Sequence, residues 1–194
     1  MAVRSWVESK ATGDISEEQF LQHCYQNNWM IADLTGSNRD QHGAPVAVKK
    51  TGNIKAPDYF ISKPPLPAFV VEVKSKAPAK DGMFWLDEPR WQYLKEYCRY
   101  GSMGGLFVIK QKPYETNDID QWICATVEQL AENIDSFGKG GVPRSYDGFQ
   151  RPAENVVKWY PSKFIPLKQF LSGKVRSGIR YSFYLESHGV ESAI

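Results

Sequence analysis

The stretch from Pro57 to Lys76, PDYFISKPPLPAFVVEVKSK, limits what this chain can fold into more than any other. Two short apolar runs, residues 58–62 and 68–76, are joined by KPPLP. Proline cannot donate to a ladder, so the connection lies outside any central strand and the runs flanking it read as neighbouring strands. Along the second run the strand period of two puts Val70, Glu72 and Lys74 on one face and Phe69, Val71 and Val73 on the other. A carboxylate and an ammonium thus emerge side by side from an apolar strand, an unfavourable place for charge unless something pairs with it or binds there. Asp58 opens the preceding run directly after Pro57, so pairing the two strands brings a second carboxylate toward Glu72.

The charge around this stretch is one-sided. Net charge over the chain is only +2, but residues 41–80 hold seven lysines (Lys49, Lys50, Lys55, Lys63, Lys74, Lys76 and Lys80) and two acids, Asp58 and Glu72. Residues 155–185 hold six basic residues and no acid, interleaved with Trp159, Tyr160, Phe164, Phe170 and Tyr181. Such a mixture could track a phosphate backbone and stack on bases, or be a solvated face over core aromatics.

Two carboxylates with room beside them suit Mg²⁺, which takes oxygen ligands and keeps several waters. Asp58, Glu72 and the backbone carbonyl of Val73 are the candidate metal ligands, and Lys74 is the candidate catalytic lysine. The chemistry implied is phosphodiester hydrolysis. An acid two residues before a lysine also arises by chance as a plain ion pair; the Pro-Asp start of the preceding strand and the apolar setting of both runs favour the metal site.

Around this centre the chain reads as helix, strands, helix, strand. Ser16 and Gln19 form a capping-box pattern opening a helix to about residue 28, with Phe20, Leu21 and Cys24 on its buried face. A strand over 29–34 precedes a long polar segment, residues 36–57, and long loops in compact domains are often functional. A helix with Pro89 in its first turn runs to about residue 100, followed by a strand beginning at Leu106 and another over 121–127. A helix over 127–137, a short helix over 165–171 and a terminal strand over 180–185 complete the expectation, with prolines breaking up the rest. The chain is expected to be one domain over residues 1–194, with a core at about 14–126 and an extension at about 127–194.

Pro57-Asp58 followed by Glu72-Val73-Lys74 resembles the signature of the PD-(D/E)XK nuclease superfamily. Glu17, Phe20, Leu21, Cys24 and Trp29 are similar to the N-terminal helix of archaeal-type Holliday junction resolvases in that superfamily. WQYLKEYCRYG leading into GGLFVI is similar to their helix after the Glu-x-Lys strand, with Gln92 at the matching glutamine. The resemblance implies an α/β, restriction-endonuclease-like fold: a mixed central sheet flanked by helices, here with an irregular basic and aromatic C-terminal extension. It implies a Mg²⁺ or Mn²⁺ cofactor, DNA ahead of RNA as substrate, Glu17 as an auxiliary acid and Gln92 as a supporting polar group. Arg39, Lys49, Lys50 and Lys55 before Asp58, with Lys76 after Lys74, are the candidate nucleic-acid contacts.

No apolar run approaches the length of a membrane span, and the first residues hold no apolar signal core, so a cytoplasmic protein is expected. Three widely spaced cysteines suit reduced thiols, and three histidines make a zinc site a poor expectation. Against the nuclease stands a nucleic-acid-binding or scaffold protein on the same fold without catalysis, or an RNA-cleaving member. Sequence specificity and homodimer formation stay open.

Overall fold

A computed structural model describes residues 6–34, 46–49, 52–101, 103–139, 144–146, 149–151 and 155–173. Helix α1 (Trp6–Gln26) gives way to a turn at Asn28, whose φ of 58° is left-handed backbone that asparagine tolerates, and strand β1 (Met30–Asp33) follows. A hairpin of β2 (Val46–Lys49) and β3 (Gly52–Lys55) leads to β4 (Tyr59–Ser62) and β5 (Phe69–Ser75). Next come β6 (Phe84–Asp87), α2 (Glu88–Gly101), β7 (Gly104–Lys110), β8 (Trp122–Thr126) and α3 (Val127–Glu132). The remainder comprises β9 (Ser136–Lys139), the hairpin β10 (Arg144–Tyr146) and β11 (Phe149–Arg151), β12 (Asn155–Trp159), β13 (Ile165–Pro166) and α4 (Leu167–Leu171).

Among the described residues, the central sheet has six strands in the order β1-β4-β5-β7-β8-β13. Within it β5 and β7 are parallel, and the other neighbours are antiparallel, so the sheet is mixed. Parallel neighbours need a crossover, and β6 with α2 supplies it. Each face of the sheet carries its own core. Val71, Val73, Leu106 and Val108 pack with Phe20 and Cys24 of α1 and with Leu167, Phe170 and Leu171 around α4. Val70, Phe107 and Ile109 pack on the opposite face with Trp91 and Leu94 of α2, Leu130 of α3, and Val157 and Trp159 of β12. Since alternate residues of β5 point to opposite faces, Glu72 and Lys74 belong to the α2 side.

A second sheet, β6-β12-β9, is antiparallel throughout and covers the α2 side. Trp159 joins it to the core: its ring meets Trp91 edge-on at 5.0 Å between centroids, and its Nε1–H donates to the Leu130 carbonyl at 2.9 Å. At Gly105 of β7, Cys98 of α2 and Val127 of α3 close directly on the strand. A Cβ built there would stand 2.4 Å from Val127 Cγ2 and 2.5 Å from Cys98 Sγ.

The expected mixed sheet with flanking helices is observed, and so is the pairing of β4 with β5 across KPPLP. Several boundaries differ. Ser16 is not an N-cap: α1 begins ten residues earlier in the sequence, at Trp6, and the Ser16 hydroxyl donates to the Thr12 carbonyl at 2.9 Å in the helix interior. Gln19 does not close a capping box either; its side-chain oxygen accepts from Lys110. The expected helix over 127–137 stops at Glu132, because residues 136–139 pair with β12. The extension, expected to be irregular, contributes β12 to the second sheet and β13 and α4 to the first. Strand β6 was not expected at all. The expected strand over 180–185 lies outside the described residues. All three cysteines are buried free thiols, and among the described residues no helix is long and apolar enough to cross a membrane.

Candidate active site

The register of β4 against β5 sets Tyr59 opposite Val71 and Phe60 opposite Val70, so Asp58, one residue earlier, stands opposite Glu72. The Asp58 N–H donates to the Val71 carbonyl at 2.9 Å, and its Oδ2 accepts the Val73 N–H at 2.7 Å. The Asp58 carboxylate is thereby clamped to β5 by the backbone of the Glu-x-Lys segment itself. Glu72 has no exposed surface and Asp58 is 8% exposed.

Two buried acids at such close quarters require compensating charge. Lys74 supplies part of it, with Nζ 2.6 Å from Glu72 Oε1 and 3.6 Å from Asp58 Oδ2, and it also donates to the Val73 carbonyl at 2.9 Å. Arg90, in the first turn of α2, supplies the rest. Its Nε donates to Glu72 Oε1 at 2.7 Å, its Nη2 donates to Glu72 Oε2, and Nη2 lies 3.5 Å from Asp58 Oδ1. The fork against Glu72 is bidentate, the strong geometry for guanidinium and carboxylate.

Burial works to raise the Glu72 pKa, but Lys74 and Arg90 outweigh it and hold the carboxyl below its ordinary value. Asp58 goes the other way: burial and the Glu72 charge raise it, only partly opposed by Lys74, Arg90 and the Val73 N–H. The opposed directions follow from who holds the guanidinium fork. Lys74 is raised, since its two acids overcome the effect of burial.

Glu17 enters from α1. Its neighbour Ser16 shares a 2.5 Å hydroxyl–hydroxyl hydrogen bond with Ser75, the residue after Lys74, so α1 is fastened to β5 beside the acid pair. Burial first, then the Asp58 charge, pushes the Glu17 carboxyl up to about 7, with Lys74 opposing. Asp58, Glu72, Lys74 and Glu17 thus share one electrostatic field.

Gln92 does not reach this cluster. It is exposed on α2, about 200° around the helix from Arg90. Arg90 occupies the place instead, and residue-by-residue reading missed it. The available signal was charge balance: two buried acids and one lysine leave a negative charge unmatched, and the first basic residue of the crossover helix, beyond Lys76 and Lys80, is Arg90 directly after Pro89. Lys76 lies with Nζ 3.1 Å from the centroid of the Trp85 ring, a cation–π contact on the outer face of β6. Lys49 and Lys55 lie in the β2–β3 hairpin. Arg39 and Lys50 fall outside the described residues.

The oxygens that could hold a divalent cation are the carboxylates of Asp58 and Glu72 and the carbonyl of Val73. An oxygen-only donor set with two carboxylates fits Mg²⁺ or Mn²⁺. Among the described residues, no group of three or more His, Cys, Asp and Glu side chains is arranged to hold a metal, so any cation here would rely on the two acids, a carbonyl and water.

A mixed sheet with β5 and β7 parallel, helices on both faces and a PD…EVK cluster at the β4–β5 pair is a restriction-endonuclease-like fold. The chain is similar in structure to Archaeoglobus fulgidus Hjc, a Holliday junction resolvase from an archaeal hyperthermophile, with a TM-score of 0.51 and 12% sequence identity over 82% of this chain and 99% of that one. At this identity the likeness is one of fold. No protein-family model and no curated protein matches the chain.

Proposed function

We propose that the chain is a divalent-metal-dependent nuclease that hydrolyses phosphodiester bonds in DNA, with Asp58 and Glu72 as metal ligands and Lys74 as the catalytic lysine. The observation that carries this reading is the convergence of Asp58, Glu72, Lys74 and the Val73 carbonyl on one edge of the β4–β5 pair, in an otherwise apolar setting. Burying two acids in register, where a hydrophobic pair would pack better, makes physical sense for a site that must hold a cation.

A bound Mg²⁺ or Mn²⁺ would supply positive charge to the scissile phosphate and a more acidic water. The chain's own residues do the rest. Asp58, fixed by the Val73 N–H, and Glu72, fixed in the sheet interior, hold their oxygens without reorganisation. Lys74, with its side chain about one third exposed at 32%, is the more exposed cation of the cluster and is suited to donate to a phosphate oxygen or orient the attacking water. Glu17, half ionised near neutral pH, is suited to exchange a proton with that water. Gln92, exposed on α2, is suited to the DNA backbone rather than to the acids. Arg39, Lys49, Lys50 and Lys55, together with Lys76, are the proposed phosphate contacts.

The fold shared with a Holliday junction resolvase makes branched DNA the first substrate to try. Linear, nicked, branched and single-stranded DNA, and RNA, are to be incubated with the protein with and without Mg²⁺. Metal-dependent cleavage of DNA is expected. Cleavage of RNA alone would transfer the reading to an RNA-cleaving enzyme, and cleavage of nothing would leave a nucleic-acid-binding protein on a nuclease fold.

A further inference from the structure

We propose that Arg90 is a displaceable counter-ion of the Asp58 and Glu72 pair: it neutralises the carboxylates in the metal-free chain and gives up Glu72 when a divalent cation binds. The inference rests on the metal-site reading above. Both oxygens of Glu72 are engaged, Oε1 by Arg90 Nε at 2.7 Å and Lys74 Nζ at 2.6 Å, and Oε2 by Arg90 Nη2. Oε1 thus has both lone-pair directions taken and Oε2 one, and Mg²⁺ approaches its ligand oxygens to about 2.0–2.1 Å with little tolerance for distortion, so a cation drawing on Glu72 competes with the guanidinium fork lying across it.

Charge leads to the same place. The acid pair and the two cations balance at present, and a doubly charged ion added beside them would leave the cluster positive even with Glu17 ionised. One cation must leave, and the structure distinguishes between them. Lys74 is the more exposed of the two, at 32% against 20%, but it stems from the strand that carries Glu72 and is also held by the Val73 carbonyl; the contacts Arg90 makes in the cluster are to the two acids, from the first turn of α2 and on a longer arm that can swing away. A guanidinium released at the rim of the site matches a phosphate with the same bidentate fork it now uses on Glu72. Binding of the cation and of a phosphodiester would then reinforce each other, each supplying what the other's arrival leaves unpaired.

Calorimetric titration of Mn²⁺ into the wild-type chain, Arg90→Met and Arg90→Lys tests this, with thermal melts of each in EDTA and in Mn²⁺. Methionine keeps much of the arm's volume without charge, and lysine keeps a charge without the fork. Arg90→Met is expected to bind Mn²⁺ at least about tenfold more tightly than wild type, the size of one charge-assisted hydrogen bond removed from the competition, with Arg90→Lys between them. In EDTA Arg90→Met should melt below wild type, and Mn²⁺ should raise its melting point by more. If Arg90→Met does not fold, the comparison of Arg90→Lys with wild type decides. Equal or weaker Mn²⁺ affinity in the variants overturns the displacement while leaving the metal site standing. Absence of binding by all three proteins overturns the metal-site reading and this inference with it.

Discussion

Glu72 carries the heaviest electrostatic demand of any side chain in the site, being fully buried with three hydrogen-bonding or ionic contacts to two cations. Glu72→Gln keeps its shape but removes the charge that both cations answer. Cleavage is expected to fall by at least about 100-fold, the order seen when one pre-organised electrostatic group is lost, while circular dichroism stays native. Glu17 allows a prediction with a sign. Its folded-state pKa, about 7, lies above its ordinary value of 4.5. Well below pH 4.5 the group is protonated in folded and unfolded chains alike, and its contribution to stability is fully present there. As pH rises toward 7 the unfolded chain ionises first, so stability is lost across that window and the loss is complete above it. In EDTA, the melting point of Glu17→Gln relative to wild type should therefore climb between pH 5 and pH 8; a flat difference would contradict the raised pKa. At this scale Asp58, Glu72 and Lys74 were legible because a strand repeats every two residues and the register follows from two adjacent strands. Arg90 was not, because which residue of a crossover helix faces the sheet depends on how the helix docks, and Gln92 at the expected place faces outward.

Helix α2 positions Arg90, and its docking depends on the shallow profile of β7. Gly105 leaves room for Cys98 and Val127 to close on the strand, and Gly105→Ala inserts a methyl at 2.4–2.5 Å from both. A loss of about 1–3 kcal/mol in urea unfolding is expected, with a larger proportional loss of activity than of helix content, since α2 must shift to relieve the contact. Strands β4, β5, β7 and β8 could be read from their apolar runs. Strands β6, β9 and β12 could not. Each is four or five residues long, and their pairing joins segments separated by fifty residues or more of sequence in the case of β6 and β12, with no hairpin signal between them. Ser16 misled for a local reason: serine favours a helix start, but here its hydroxyl bonds back to Thr12 and across to Ser75, which a capping pattern does not distinguish.

Across the whole molecule, the segment matched to the resolvase pattern, about residues 14–126, does not complete its own core. Leu167, Phe170 and Leu171 close one face of the central sheet and Val157 and Trp159 the other, and Trp29 Nε1–H donates to the Leu171 carbonyl at 2.9 Å across the chain. A chain ending at residue 152 is therefore expected to be recovered unfolded or aggregated. In the full chain, Trp159→Ala should lose about 3–5 kcal/mol in denaturant unfolding. A truncated chain with a native, cooperative melt would show that the extension is separable after all.

The central claim is that the Asp58, Glu72 and Lys74 cluster hydrolyses phosphodiester bonds with the help of a divalent cation. Its most direct test is the rate of cleavage of one DNA substrate, branched or linear as the substrate panel dictates, by wild type and Glu72→Gln at saturating protein, in Mg²⁺ and in EDTA. Cleavage by wild type in Mg²⁺ alone, with none above background in EDTA and a loss of at least about 100-fold in the folded variant, is the predicted result. Equal cleavage by the variant, or cleavage by wild type that continues undiminished in EDTA, would contradict it.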